Sequence, residues 1–157
     1  ADYLVLMDSG RVQSAGPIAE MLTRLDLPMA HGDDAEALVE AVVAEHDVEF
    51  QLTYLDFPGG RFTVAHKAIP EGRPVRLRVA ARDVSLTLEH QSDTSILNIF
   101  PVTVDEITPT GNAQVTVRLS AGGVPLLSRV TRKSAALLGL ERGKAVYAQA
   151  KSVALLA

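Results

Sequence analysis

Three sets of hydrogen-bond donors stand in the last third of the chain. Thr94-Ser95 with Asn98, the lone Thr131, and Lys151-Ser152 each fall at a turn or at the edge of an alternating apolar run. Backbone N–H groups are free at such edges, and hydroxyl, amide and ammonium groups can donate to the same ligand. The chemistry that suits this set is capture of a tetrahedral oxyanion. Each member also has a plainer reading. Thr94-Ser95 fits a turn, Thr131 fits the N-cap of a short helix, and Lys151 fits an edge-strand lysine that discourages aggregation. Arg129, Arg132 and Lys133 beside them read as a solvated surface.

Covalent catalysis finds no support. No Ser has an evident His base with an orienting acid, and no G-x-S-x-G occurs. Asp33-Asp34 and Asp105-Glu106 are sequence neighbours, so on a strand they point to opposite faces. Cysteine is absent, and His31, His46, His66 and His90 lack metal-ligand spacing, so no metal site is expected. A net charge of −4 and 4% aromatics argue against a nucleic-acid partner. No apolar run reaches the roughly 20 residues a bilayer span needs, and no signal peptide is visible. These features point to a soluble cytoplasmic protein. With 47% apolar residues, the 157-residue chain can bury a core as one domain or two very small ones.

The elements that must hold these donors are mostly short strands. At the front, Tyr3-Leu4-Val5-Leu6-Met7 and Arg11-Val12-Gln13-Ser14-Ala15 predict a hairpin turning at Asp8-Ser9-Gly10. Gly16-Pro17 opens a helix with Pro at its first position. Ile18, Met21, Leu22 and Leu25 form its apolar face, and Pro28 stops it. Residues 30–41 read as a linker, with room for one helical turn. The chain then repeats itself. Residues 51–60 match 114–123 without gaps, each an alternating strand running into Gly-Gly. Gly72-Arg73-Pro74-Val75 matches Gly143-Lys144-Ala145-Val146, and Arg82-Asp83-Val84-Ser85-Leu86 matches Lys151-Ser152-Val153-Ala154-Leu155 with a two-residue slip. By this match residues 39–46 are strand. The second copy alone gains a short helix after Thr131, ended by Gly139. The fold class is therefore mainly β, as small OB-like barrels. A unit of about 65 residues has a thin core; closure by a partner chain or by the other copy would help, which favours a homodimer.

Two family resemblances extend this. Met7-Asp8-Ser9-Gly10-Arg11-Val12 and Gly16-Pro17-Ile18-Ala19-Glu20-Met21-Leu22 resemble the C-terminal end of an ABC-transporter ATPase domain. No G-x-x-x-x-G-K-[ST] occurs, so this piece cannot cradle a nucleotide and is not expected to be an enzyme by itself; ATP would bind only in an upstream domain. Residues from about 92 to 157 resemble a Mop domain, the molybdate-binding unit of the TOBE class. The residues that carry this are Thr94-Ser95-Ile96-Leu97-Asn98, Val130-Thr131-Arg132-Lys133-Ser134, Leu138-Gly139-Leu140-Glu141-Arg142-Gly143 and Ala148-Gln149-Ala150-Lys151-Ser152-Val153. The whole chain is thus similar to the C-terminal regulatory part of a molybdate ABC-transporter ATP-binding subunit. The division this implies is 1–29 for the ATPase remnant, 30–90 for the linker and first TOBE-like unit, and 91–157 for the Mop-like unit.

The resemblance implies a dimer that binds molybdate or tungstate at its interface, on a subunit docked to a membrane partner at the cytoplasmic face. It implies Ser95, Thr131, Lys151 and Ser152 as ligands, with Thr94 and Asn98 beside them, and no other cofactor. One departure stands out: Leu97 occupies a position where many family members carry Arg, which removes a guanidinium near a dianion. Two functions follow from the same residues. One is a regulatory oxyanion sensor; the other is a purely structural dimerisation module without a working anion site.

Overall fold

The computed structural model describes residues 3–8, 11–25, 30, 32 and 35–156, with side chains described from residue 17 onward. The chain opens on antiparallel strands β1 (Tyr3–Asp8) and β2 (Arg11–Pro17), then helix α1 (Ile18–Thr23). This is the hairpin and helix expected from the apolar spacing. Pro17 is the N-cap, one position earlier than expected, and the helix stops at Thr23 because Arg24 is already extended. Met21 and Leu25 are both buried, so the apolar face persists past the helical hydrogen bonds. The expected turn at Ser9-Gly10, the stop at Pro28, and His31, Asp33 and Asp34 lie outside the described residues.

The linker expected over residues 30–41 is strand from Glu36 on. β3 runs Glu36–Asp47, and Ala37, Val39, Ala41 and Val43 line its inner face at 0–4% exposure. Alanine is a poor strand former, but small side chains at period two suit a strand pressed against a second layer, and burial overrides propensity. The strand expected over 39–46 is borne out by the same element.

The remaining elements are β4 (Leu52–Phe57), β5 (Gly60–Ala65), β6 (Pro74–Ala80), a 3-10 turn (Ala81–Asp83) and β7 (Val84–Thr87). After them come β8 (Asn98–Thr110), β9 (Gln114–Ala121), β10 (Val124–Thr131), α2 (Arg132–Leu138), β11 (Ala145–Ala150) and β12 (Ala154–Leu156). They build two antiparallel five-stranded sheets, ordered β12-β6-β3-β4-β5 and β10-β9-β8-β11-β7. The mainly-β expectation holds.

Both sheets carry one backbone device. Val43 N–H donates to Arg73 O and receives Gly72 N–H on its own carbonyl; Val104 does the same with Lys144 and Gly143. A bulge follows each, between Val43 and Glu45 and between Val104 and Glu106. The match of Gly72-Arg73 on Gly143-Lys144 is therefore an identity of backbone role. The match of 51–60 on 114–123, however, is off by one residue. The first hairpin turns on Pro58-Gly59, pairing Phe57 with Gly60, and the second turns on Gly122-Gly123, pairing Ala121 with Val124. Aligning the glycine pairs sets buried Leu55 on partly exposed Arg118, whereas the hairpins equate it with buried Leu119. A one-residue slip exchanges the faces of a strand, so the turn sets the register. The two turns abut: a Cβ on Gly122 would lie 2.4 Å from Pro58 O, and one on Gly59 would lie 2.6 Å from Ala121 O.

The two sheets do not follow the division at residues 90 and 91. β7 follows β6 in sequence but pairs with β11, while β12 follows β11 but pairs with β6. Each unit gives its last strand to the other's sheet. One apolar cluster joins them, centred on Phe57 and Phe62 of the first sheet and Phe100 of the second, with ring centroids 4.7–5.2 Å apart. Burial of each such ring contributes about 1.5–3 kcal/mol, and the tilted and edge contacts add to it.

The front piece is fastened to the second sheet by Arg118 on β9. Its Nη2 donates to Glu20 Oε2 (2.7 Å), its Nε to Thr23 Oγ1 (3.3 Å), and its Nη1 to Asp105, the residue at the β8 bulge.

Candidate functional site

The connector ahead of β8 carries the first donors. Thr94 Oγ1 accepts the Ile96 N–H (3.2 Å), so Thr94 forms the turn that its residue type suggests. Ser95 is exposed, and Leu97 is 64% exposed, an apolar side chain facing solvent at the head of the strand. Asn98 is buried at 6% exposure. Its Oδ1 accepts the Thr63 N–H at 2.6 Å and its Nδ2 donates to Thr63 O at 3.2 Å. The carboxamide thus acts as a short piece of strand, joining β5 to β8 and closing the barrel between the sheets. One donor and one acceptor of its four are taken in this way.

Asn98 is opposite Ala150 in the β8–β11 ladder, so Lys151-Ser152 leaves the second sheet beside the start of β8. Residues 151–153 then cross to β12 in the first sheet. The reverse crossing, Ala81–Asp83, runs alongside: Lys151 N–H donates to Asp83 O (2.9 Å) and Ser152 Oγ to Asp83 Oδ2 (3.1 Å). The two strand-exchange connectors are therefore tied together at the predicted Lys-Ser pair. Between them and β6 lies an open groove of about 550 Å³ lined by Glu36, Arg78, Arg82, Asp83 and Ser152 among others. Arg78 Nε is 3.4 Å from Glu36 Oε2.

Thr131 ends β10. Its Oγ1 accepts the Ser134 N–H (3.0 Å), so it is the N-cap of α2, and Gly139 in left-handed conformation ends that helix. Lys144 Nζ reaches the last carbonyls, Leu138 O at 2.7 Å and Gly139 O at 3.2 Å. Three residues before Thr131, Ser128 Oγ donates to Val84 O (2.5 Å), which brings β10 across the barrel to the crossing connectors. Arg132 turns away, its Nη1 donating to Asn112 O (3.0 Å). On Arg129, Nε and Nη2 are buried without a partner among the described residues.

The structure thus sets Asn98 beside the end of β11, where Lys151-Ser152 leaves the second sheet, with Thr94 and Ser95 in the connector ahead of β8 and Thr131 on a separate helix start. Among the described residues, no side-chain hydrogen bond joins any two of the six. Sequence reasoning missed Asp83, Arg78 and Arg82. The internal repeat held the signal, because it equates Arg82-Asp83 with Lys151-Ser152; what it could not convey is that equivalent connectors lie side by side. Among the described residues, no cluster of three or more His, Asp or Glu could hold a metal ion. No helix among them is long and apolar enough to cross a membrane.

Residues 94–157 match the TOBE domain family. Across 156 residues, 99% of its length, the chain is 51% identical to the molybdenum import ATP-binding protein ModC of Albidiferax ferrireducens, and it covers 42% of that protein. It is 48% identical to the protein of the same name from Methylococcus capsulatus, covering 99% of this chain and 44% of that protein. The chain therefore spans less than half the length of these relatives. Among solved structures, the cytoplasmic molybdate-binding protein ModG with molybdate bound superposes with a TM-score of 0.60 and 27% identity, over 75% of this chain and 93% of that one. Three quarters of the chain is more than the TOBE stretch alone can supply, so the likeness extends into the first β unit. The resemblance to the TOBE-bearing part of a molybdate importer's ATP-binding subunit is borne out, and so is the OB-like fold.

Proposed function

We propose that the chain is the regulatory, oxyanion-binding and dimerising part of the ATP-binding subunit of a molybdate importer. The observation that carries this reading is the likeness to a molybdate-bound protein across both β units, coinciding with Lys151-Ser152 at the point where the two sheets exchange strands. The ligand is molybdate or tungstate. The Lys151 ammonium supplies charge, and the hydroxyls of Ser152, Ser95 and Thr94 supply donors, as does any backbone N–H left open around them. Asn98 sets the start of β8 and so the position of the Ser95 turn. Thr131 is the remaining ligand, approaching from its own chain or from a second copy in a homodimer. ATP hydrolysis belongs to the part of the relatives that this chain does not span, and the membrane partner docks there, at the cytoplasmic face. The division 1–29, 30–90 and 91–157 suits this reading, with the front piece as the junction to the ATPase.

Regulation requires an anion affinity that differs between two arrangements of the protein. A site on the sheet-exchange connectors meets that requirement in principle, because the anion would bear on both sheets together. Calorimetric titration of the chain with molybdate, with sulfate at equal ionic strength as control, tests it. Saturable molybdate binding, weak for sulfate and lost in Lys151→Ala, is the expected result. Heats no larger than the sulfate control would overturn it.

One observation favours the second reading, a structural dimerisation module. Leu97 faces solvent where a guanidinium would serve a dianion, and an exposed leucine suits a contact surface better than an anion site. That reading expects a dimer by light scattering whose melting temperature ignores oxyanions.

A further inference from the structure

The hydroxyl of Ser152 has one proton to give. In this structure it goes to Asp83 Oδ2 at 3.1 Å, and the same Asp83 accepts the Lys151 N–H on its backbone carbonyl at 2.9 Å. Asp83 is the last residue of the 3-10 turn between β6 and β7, so it comes from the other β unit. An ionised carboxylate only accepts hydrogen bonds, and a tetrahedral oxyanion likewise needs donors. Ser152 therefore cannot serve both at once. A carboxylate in hydrogen-bond contact with a ligand hydroxyl also repels an arriving dianion.

We propose that Asp83 is an internal competitor for the oxyanion, holding the Ser152 hydroxyl until the anion displaces it. This rests on the oxyanion-sensor reading. It names the residue through which occupancy reaches the rest of the fold. Asp83 leads directly into β7, the strand that the first unit gives to the second sheet, so releasing its carboxylate acts on the connector between the sheets. Arg78, Arg82 and Glu36 line the same groove, with Arg78 Nε 3.4 Å from Glu36 Oε2. The backbone bond from Lys151 N–H to Asp83 O survives the exchange, which keeps the connectors together while the side chains change partners.

Asp83→Asn separates competition from mere support. Asparagine keeps an acceptor for Ser152 and leaves the backbone carbonyl in place, but it removes the charge and can donate an N–H to the anion. Titrated with molybdate by calorimetry, this variant should bind about fivefold or more tightly than the unsubstituted chain, with an unchanged melting temperature. The gain should shrink as salt is raised, because it is partly electrostatic. Equal or weaker binding overturns the proposal. Should the variant not fold, the carboxyl carbon resonance of Asp83 in the unsubstituted chain decides the matter: it should move on saturation with molybdate, and a resonance that stays still overturns the proposal. If the unsubstituted chain gives no saturable heat, the sensor reading itself has failed; if it binds and Asp83→Asn changes nothing, only the competitor role has failed.

Discussion

Asn98 grips the backbone of Thr63 from both ends of its carboxamide, across 35 residues of sequence and between two different sheets. Asn98→Ala would leave a partly buried N–H and C=O on Thr63 without partners. The expected loss is about 1–3 kcal/mol of unfolding free energy. Asn98→Asp should be no better, since its carboxylate faces the Thr63 carbonyl. Urea unfolding followed by circular dichroism measures both; a loss below about 0.5 kcal/mol for the alanine variant would mean that water replaces the bridge.

Strand exchange makes the two β units one cooperative body. Residues 30–90 made alone would lack β12, and residues 91–157 made alone would lack β7, while both would expose the Phe57–Phe62–Phe100 contact. Neither half should give a dispersed amide spectrum by itself. In the whole chain, Leu155→Ala on β12 should speed hydrogen exchange in β6 and leave β9 unaffected. A well-folded isolated half would contradict the shared core.

Arg118 holds α1 through Glu20 and Thr23 while also holding Asp105 at the β8 bulge. Its side chain is 17% exposed and that of Glu20 is 56% exposed, so the Arg118–Glu20 pair alone is worth at most about 1 kcal/mol. Arg118→Ala should cost more, about 2 kcal/mol, because Asp105 and Thr23 lose their partner too. The sharper readout is local: protease cleavage within residues 18–25 should accelerate in Arg118→Ala and much less in Glu20→Gln. Equal protection in all three proteins would show that apolar packing of Met21 and Leu25 suffices.

Tyr54 Oη donates to Asp47 Oδ2 at 2.9 Å, and this bond raises the phenol above its ordinary value of 10.0, with smaller contributions from desolvation and the Asp47 charge. A raised value means that the folded state holds the phenolic proton more tightly. The bond's contribution is fully present below the ordinary tyrosine range and is lost as pH climbs through the raised one. An NMR titration of the Tyr54 ring should show late ionisation in the unsubstituted chain and earlier ionisation in Asp47→Asn. Coincident curves would refute the role of Asp47.

Much of this protein was legible in residue order. Period-two apolar spacing marked most of the strands, Gly139 and Thr131 marked the ends of α2, and Gly72 and Gly143 marked matching turns, because local backbone demands are written in local residue types. The linker reading of residues 36–41 failed where alanines could be strand only through burial against another layer. The repeat register slipped by one because Pro58-Gly59 and Gly122-Gly123 differ in type but share a turn. The donor set itself, Thr94, Ser95, Asn98, Thr131, Lys151 and Ser152, came from residue type and family resemblance.

What the sequence alone determined is the inventory: a strand-rich chain with an internal repeat, a front hairpin and helix, and a run of donors in the second copy. Which strand belongs to which sheet was decided by tertiary structure alone. β7 and β12 are equivalent in sequence and each could complete its own unit; they cross because the shared phenylalanine core and the Asn98–Thr63 bridge bring both sheets into one body, and pairing across that body buries more apolar surface than two thin barrels could. The same crossing set Asp83 against Ser152, a contact between residues 69 positions apart that no local pattern could encode.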